Sequence, residues 1–286
     1  MFMFIAKRKA VVRVMLKSKM ICSDRVLYRF IGLAALLLSS GLMGFDQGPK
    51  DQGIGGTGGL FRGDDQGLSG TGYFGTISDF GSVIVNGHEI AFGNQTVVAI
   101  AGVSATISDL KRGQVIAVQT ITSPNGEETR SIDVLHMVVG PVQSFDRQTG
   151  RGVILGQIVD FNSRIDYESL SQGAWIAVSG LRAPNGIIVA SRIDRSIVGQ
   201  FLVRGTIEQI RQAFAALRVK PQSIPRGSSL ELAGMFTEGV PEISSLRNAP
   251  LTSYMGQAKQ LVVEAYVPVS EKGRDAATLK VLGETF

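Results

Sequence analysis

The chain is poor in the residues that most chemistry requires. Cysteine occurs once in 286 residues, as Cys22, inside a basic N-terminal stretch. A body without a thiol excludes disulfide scaffolds, Cys-ligated metals and thiol nucleophiles together. Histidine occurs twice, as His88 and His136. One from each hairpin could meet in a barrel, but a zinc or copper site would want further ligands, and no cysteine is there to supply them. Both are read as structural or surface histidines, so no metal and no cofactor is expected. No serine sits in a Gly-x-Ser-x-Gly elbow. The carboxylates Asp79, Asp109, Asp133, Asp146, Asp160, Asp166, Glu168 and Asp194 are scattered. Asp166 and Glu168 would share one face of a strand, where a solvated face is a better reading than an acid/base pair for glycoside hydrolysis. The expectation is a protein that is not an enzyme.

Basic charge is also scarcer than it first looks. The net charge is +5, from 29 bases and 24 acids. Residues 1–29 hold eight of those bases and one acid, which leaves 21 bases against 23 acids, or −2, for the rest. The remainder lacks the concentrated basic surface that nucleic-acid binding needs, so no nucleic-acid partner is expected. An apolar run, Phe30 to Leu38, follows the basic stretch and ends at Ser39, Ser40 and Gly41. It is much shorter than the roughly 18–20 residues of a spanning helix. Basic region, short apolar region and small-residue exit are the parts of a secretory signal, with Gly41 or Gly44 at the cleavage point. Residues 1–44 are therefore read as a signal peptide of an exported, periplasmic or secreted protein. The alternative is an uncleaved N-terminal anchor, the only membrane contact envisaged. Met1, Met15 and Met20 all remain open as the start of translation.

Residues 45–72 form a glycine-rich linker in which Asp51-Gln-Gly-Ile-Gly-Gly-Thr-Gly recurs as Asp65-Gln-Gly-Leu-Ser-Gly-Thr-Gly. So much glycine costs backbone entropy to order, which favours a flexible spacer. Gly53, Gly55 and Gly58 satisfy G-x-G-x-x-G, but Pro49-Lys-Asp-Gln precedes them where a dinucleotide site needs a buried strand.

The body is built on a repeat. Gly113 maps to Gly173, Ile116-Ala117-Val118 to Ile176-Ala177-Val178 and Pro124 to Pro184, all at an offset of 60. Ile132-Asp133 then maps to Ile193-Asp194 at 61, so one residue is inserted after the turn. A near-constant offset means one supersecondary unit used again. Asp133 and Asp194 share a repeat position, which points to a structural job such as a turn bond or an arginine pair. β-branched runs and turn signals, among them Asn86-Gly87, predict five or six short strands per unit. The units are residues 73–139, 140–200 and a divergent third at 201–286, opened by Gly205-Thr-Ile and interrupted by an insert at 225–255. In this third unit Gln209 to Leu217 is read as strand rather than helix. A closing hairpin is expected from Gln260–Val267, a turn near Glu271-Lys-Gly273, and Ala277–Leu282.

Gly-Ile-Gly-Gly-Thr-Gly, Gly75-Thr-Ile-x-x-Phe-Gly-Ser-Val-Ile-Val-Asn-Gly and Asp109-Leu-Lys-Arg-Gly-Gln-Val resemble exported bacterial tandem β-repeat (OB-like) domains of unknown function, over roughly residues 53–200. The resemblance implies an all-β chain of tandem small OB-like barrels, two clear units and a degenerate third, secreted or lipid-anchored. Members often carry a lipobox ending in cysteine, whereas Leu42-Met43-Gly44 is followed here by Phe45. Without a thiol there is nothing to acylate.

Function is expected where the copies disagree. Trp175 stands where the first copy has Val115, and the bases of the second unit are all arginine, Arg182 and Arg192 among them. Trp175 either fills the barrel core, the favoured reading, or joins Arg182 and Arg192 on a surface for a glycan or small ligand. The leading expectation is a binding or scaffolding module of the cell envelope whose partner is another envelope protein, with the 225–255 insert as interface. The alternative is the glycan or small-ligand protein.

Overall fold

β-branched runs broken by glycine turns give strand after strand. The computed structural model describes residues 7–15, 70–79, 83–123, 126–161, 170–220, 223–225, 229–255, 258–268, 280–281 and 284–285. These residues belong to one compact unit. The leader's apolar run, Gly41, Gly44, the linker through Ser69, Asp166, Glu168 and the turn near Glu271 lie outside the described residues.

The first strand, β1 (Lys7–Met15), comes from the expected leader and pairs far away, as described below. The first copy then supplies β2 (Thr71–Asp79), the hairpin β3 (Val83–Val85) and β4 (His88–Ile90), and the hairpin β5 (Val97–Ile100) and β6 (Val103–Ala105). Two long strands, β7 (Val115–Ser123) and β8 (Gly126–Val134), complete it. Asn86 and Gly87 both take positive φ, 55° and 76°, as the Asn-Gly turn requires. The order is β4-β3-β2-β7-β8-β5-β6 with β5 parallel to β8, a curled half-barrel.

The second copy closes. Its strands are β9 (Val138–Asp146), β10 (Arg151–Ile154), β11 (Gln157–Asp160), β12 (Trp175–Arg182) and β13 (Ile188–Arg195). They run β9-β10-β11-β13-β12 and back to β9, with only the β11–β13 step parallel. The repeat is visible bond by bond. Gly113 N–H donates to Ile77 O at 2.9 Å, and Gly173 N–H donates to Val142 O at 2.8 Å. The β7–β8 ladder slips between Gln119 and Thr120, and the β12–β13 ladder between Ser179 and Gly180, again 60 residues apart.

Among the described residues the last third builds no third barrel. Strand β14 (Gln200–Gly205) joins β9, and β15 (Leu230–Thr237) and β16 (Val240–Asn248) extend that sheet. Between β14 and β15 lies α1 (Ile207–Leu217), where strand was expected. Ile210, Ala213, Phe214 and Leu217 are buried at helical spacing, and Thr206 with Gln209 makes a capping box. Those four side chains enter the core of the closed barrel. The expected insert is thus the β15–β16 hairpin plus a short turn of helix, α2 (Thr252–Met255). Leu230 and Leu232 of that hairpin are also core residues.

The expected closing hairpin is replaced by a different pairing. β17 (Gln260–Pro268) lies between β1, antiparallel, and β2, parallel. Lys280–Val281 (β18) pairs with Glu284–Thr285 (β19) instead. The two copies share a core at their seam: Phe74, Val115, Ala117 and Leu135 pack with Leu181, Leu251, Leu261 and Val263.

Candidate functional site

Three places concentrate chemistry: the seam between the copies, a buried ionic cluster beside it, and the far end of the closed barrel.

At the seam, the Arg112-Gly113 turn of the first copy meets β13 of the second. Gly113 has φ +87°, and a Cβ there would lie 2.7 Å from Ser191 O, so both backbone angle and space require glycine. The equivalent Gly173 shares the angle, φ +85°, but faces open space. Ser191 is the extra residue of the β13 bulge, and its hydroxyl donates to Gly113 O at 2.6 Å. Arg192 donates to Arg112 O at 3.2 Å and binds Asp194 through Nε and Nη2, at 2.8 and 2.6 Å. Lys111 Nζ reaches Asp194 at 3.8 Å. Arg112, Gly113, Ser191 and Arg192 line a cleft of about 1030 Å³ together with Lys9, Glu264 and Tyr266.

Asp194 thus has the arginine that its repeat position suggested. Asp133 does not share it, because Ser131 stands where Arg192 stands in the second copy. Burial raises the Asp133 carboxyl above its ordinary range, against the pull of Arg204.

The buried cluster centres on Arg204, 3% exposed. Its Nε donates to Glu231 Oε2 at 2.7 Å, and its Nη1 donates to His136 O at 2.8 Å. Arg247 Nε donates to Glu231 Oε1 at 2.9 Å, and the Tyr254 ring lies under the Arg204 guanidinium at 5.7 Å. Burial would raise the Glu231 carboxyl, but the charge of Arg204 and the bonds from Arg247 bring it below the usual range. The His136 imidazole is pushed down to about 4, first by burial and then by Arg204. Among the described residues its Nε2 has no hydrogen-bond partner. No group of three or more metal-ligating side chains occurs among the described residues.

The far end of the barrel is apolar and open. Ile176 and Val178 point into the core, so strand alternation turns Trp175 outward. It is half-buried rather than interior, and its ring meets Phe236 edge-on at 5.6 Å. Phe236 N–H donates to Gly199 O at 2.8 Å, which brings the Ile197-Val198 turn against the β15–β16 hairpin end. Around that end Ile197 is 69% exposed, Val198 74%, Val240 62% and Met235 44%. In the first copy the equivalent Val115 is fully buried. Sequence comparison of the copies marks Trp175, but Met235 and Val240 come from a hairpin with no counterpart in the first copy, and Ile197 and Val198 stand where that copy has His136 and Met137.

The structure does not gather Trp175, Arg182 and Arg192 into one site. Arg182 is at the other end of β12, roughly 23 Å away at the usual rise per residue. It donates to Gly186 O at 2.7 Å and to Arg204 O at 2.8 Å, and burial lowers it to about 10. Arg192 is held by Asp194 at the seam.

Neither curated proteins nor solved structures give a match to this chain. Residues 139–194, which span the closed barrel from β9 to β13, match the family model of a domain of unknown function (DUF5666).

Proposed function

We propose that the protein is a non-enzymatic, exported binding or scaffolding module of the cell envelope, periplasmic or secreted, that engages another envelope protein. The observation that carries this reading is the open apolar end around Trp175. Exposed aliphatic residues grouped beside aromatic rings are the usual mark of a protein-binding surface. The ring order of the closed barrel, first-second-third-fifth-fourth, supports the OB-like reading, a fold that binds through its loops and outer faces. The interface lies at the tip of the β15–β16 hairpin and not in a removable insert, because Leu230, Leu232 and Glu231 of that hairpin are buried.

Photo-crosslinking residues placed at Val198 and Val240 in producing cells test this. They should give one discrete adduct with an envelope-fraction protein, while the exposed Glu89 on the opposite copy gives none. Identical patterns at all three positions would remove the reading. The glycan alternative draws on the half-buried Trp175 ring alone, since the arginines lie elsewhere.

A further inference from the structure

β17 is buried on both faces. Leu261, Val263 and Ala265 enter the seam core, and Val262 enters the core of the curled sheet. Such a strand needs a neighbour on each edge, because an unpaired N–H or C=O group away from water costs about as much as a lost hydrogen bond. β2 fills one edge, from Gln260↔Thr71 to Val263↔Phe74. β1 fills the other over its whole length, from Lys7↔Pro268 to Met15↔Gln260. Glu264 marks the register. Its Oε2 accepts the Thr76 N–H at 2.6 Å, and its Oε1 pairs with Lys9 Nζ.

β1 is also the segment that the sequence assigns to the basic part of an export leader. The two roles exclude each other, since a chain cleaved near Gly41 or Gly44 has no Lys7–Met15 to lay along β17. We propose that this edge, covered by Lys7–Met15 in the full-length chain, is in the exported form the docking edge for an extended segment of a partner protein, added as an antiparallel strand. The proposal rests on the export reading above. What β1 places there defines the partner's chemistry. Across from Ala265, Glu264, Val263 and Leu261 stand Ala10, Val11, Val12 and Val14, and Lys9 lies two residues from the position facing Glu264. The matching segment is a run of small and β-branched residues with a lysine or arginine in the place of Lys9. Main-chain hydrogen bonds supply its affinity, and the Glu264 ion pair fixes its register. Before export the leader strand keeps a long apolar edge from pairing with other chains.

The protein recovered from the envelope fraction is N-terminally sequenced and titrated with a fluorescent peptide, KRKAVVRVM, the sequence of Lys7–Met15. The expected result is a chain that begins beyond Met15 and binds the peptide saturably at one site. The Lys9→Glu peptide should bind roughly tenfold more weakly, the equivalent of about 1.4 kcal/mol. Full-length protein, its edge already filled, should bind at least tenfold more weakly than the trimmed form. A trimmed chain that shows no saturable binding, or no preference between the two peptides, overturns the docking edge and leaves export standing. A recovered chain that retains residues 7–15 overturns cleavage of the leader and the open edge together. Because the Lys9→Glu change is in the peptide, the preference between the two peptides is read on one and the same protein.

Discussion

His136 is a base that the fold keeps neutral. It lies between β8 and β9, 6% exposed, with the Arg204 guanidinium on its backbone carbonyl. Burial and that cation depress its folded value to about 4 against an ordinary 6.5, while Asp194 pulls weakly the other way. The unfolded chain therefore binds the extra proton first, and stability is complete above pH 6.5 and falls as pH drops toward 4. The full step is about 3 kcal/mol at about 1.4 kcal/mol per unit. Urea titrations at pH 7.5 and 5 should show roughly half of that loss in the native protein. A His136→Asn chain should lose little over the same interval, and equal losses would show that another group carries the dependence. The sequence leaves His136 as a structural or surface histidine, and its burial between two strands is what the structure adds. The Arg204–Glu231 pair was not legible there, because its members are 27 residues apart and nothing local couples them.

Element by element, α1 shows how a repeat can mislead. Gly205-Thr-Ile repeats the opening of the earlier copies, which favours strand, yet the local signals point the other way. Thr206 and Gln209 are spaced as a capping box, and Ile210, Ala213, Phe214 and Leu217 follow the helical period. The helix fills the closed barrel: Gly156 comes so close to α1 that a Cβ would lie 2.8 Å from Gln212 O, and Gln157 Nε2 donates to Gln209 O at 3.0 Å. Phe214→Ala should then cost about 3–5 kcal/mol. Thr206→Ala, which removes only a cap, should cost about 1 kcal/mol. Urea unfolding of the two variants checks the order, and a smaller loss for Phe214→Ala would mean that α1 does not plug the barrel. The strands of the two copies were legible because turns and β-branched alternation are local. The partners of β17 were not, since one lies in the expected leader and the other follows the expected linker.

Across the whole molecule, the repeat and the folding unit are different things. The family match ends at 194, where the five-stranded ring is complete. The core of that ring is not complete there. Phe201, Val203, Ile210, Ala213, Phe214, Leu217, Leu230 and Leu232 all follow Arg195 and make up eight of the 20 buried residues in the cluster. A large truncated core side chain costs about 2–5 kcal/mol, against a domain stability of about 5–15 kcal/mol, so losing eight exceeds what the ring can bear. Residues 136–248 retain all eight, together with the Arg204–Glu231 pair and the His136 carbonyl that caps it. Expressed alone, residues 136–248 should unfold in one cooperative urea transition with dispersed amide NMR signals. Residues 139–194 should show neither. A cooperative transition in the shorter piece would mean that the ring stands by itself, and that α1 and the β15–β16 hairpin cover a barrel already formed.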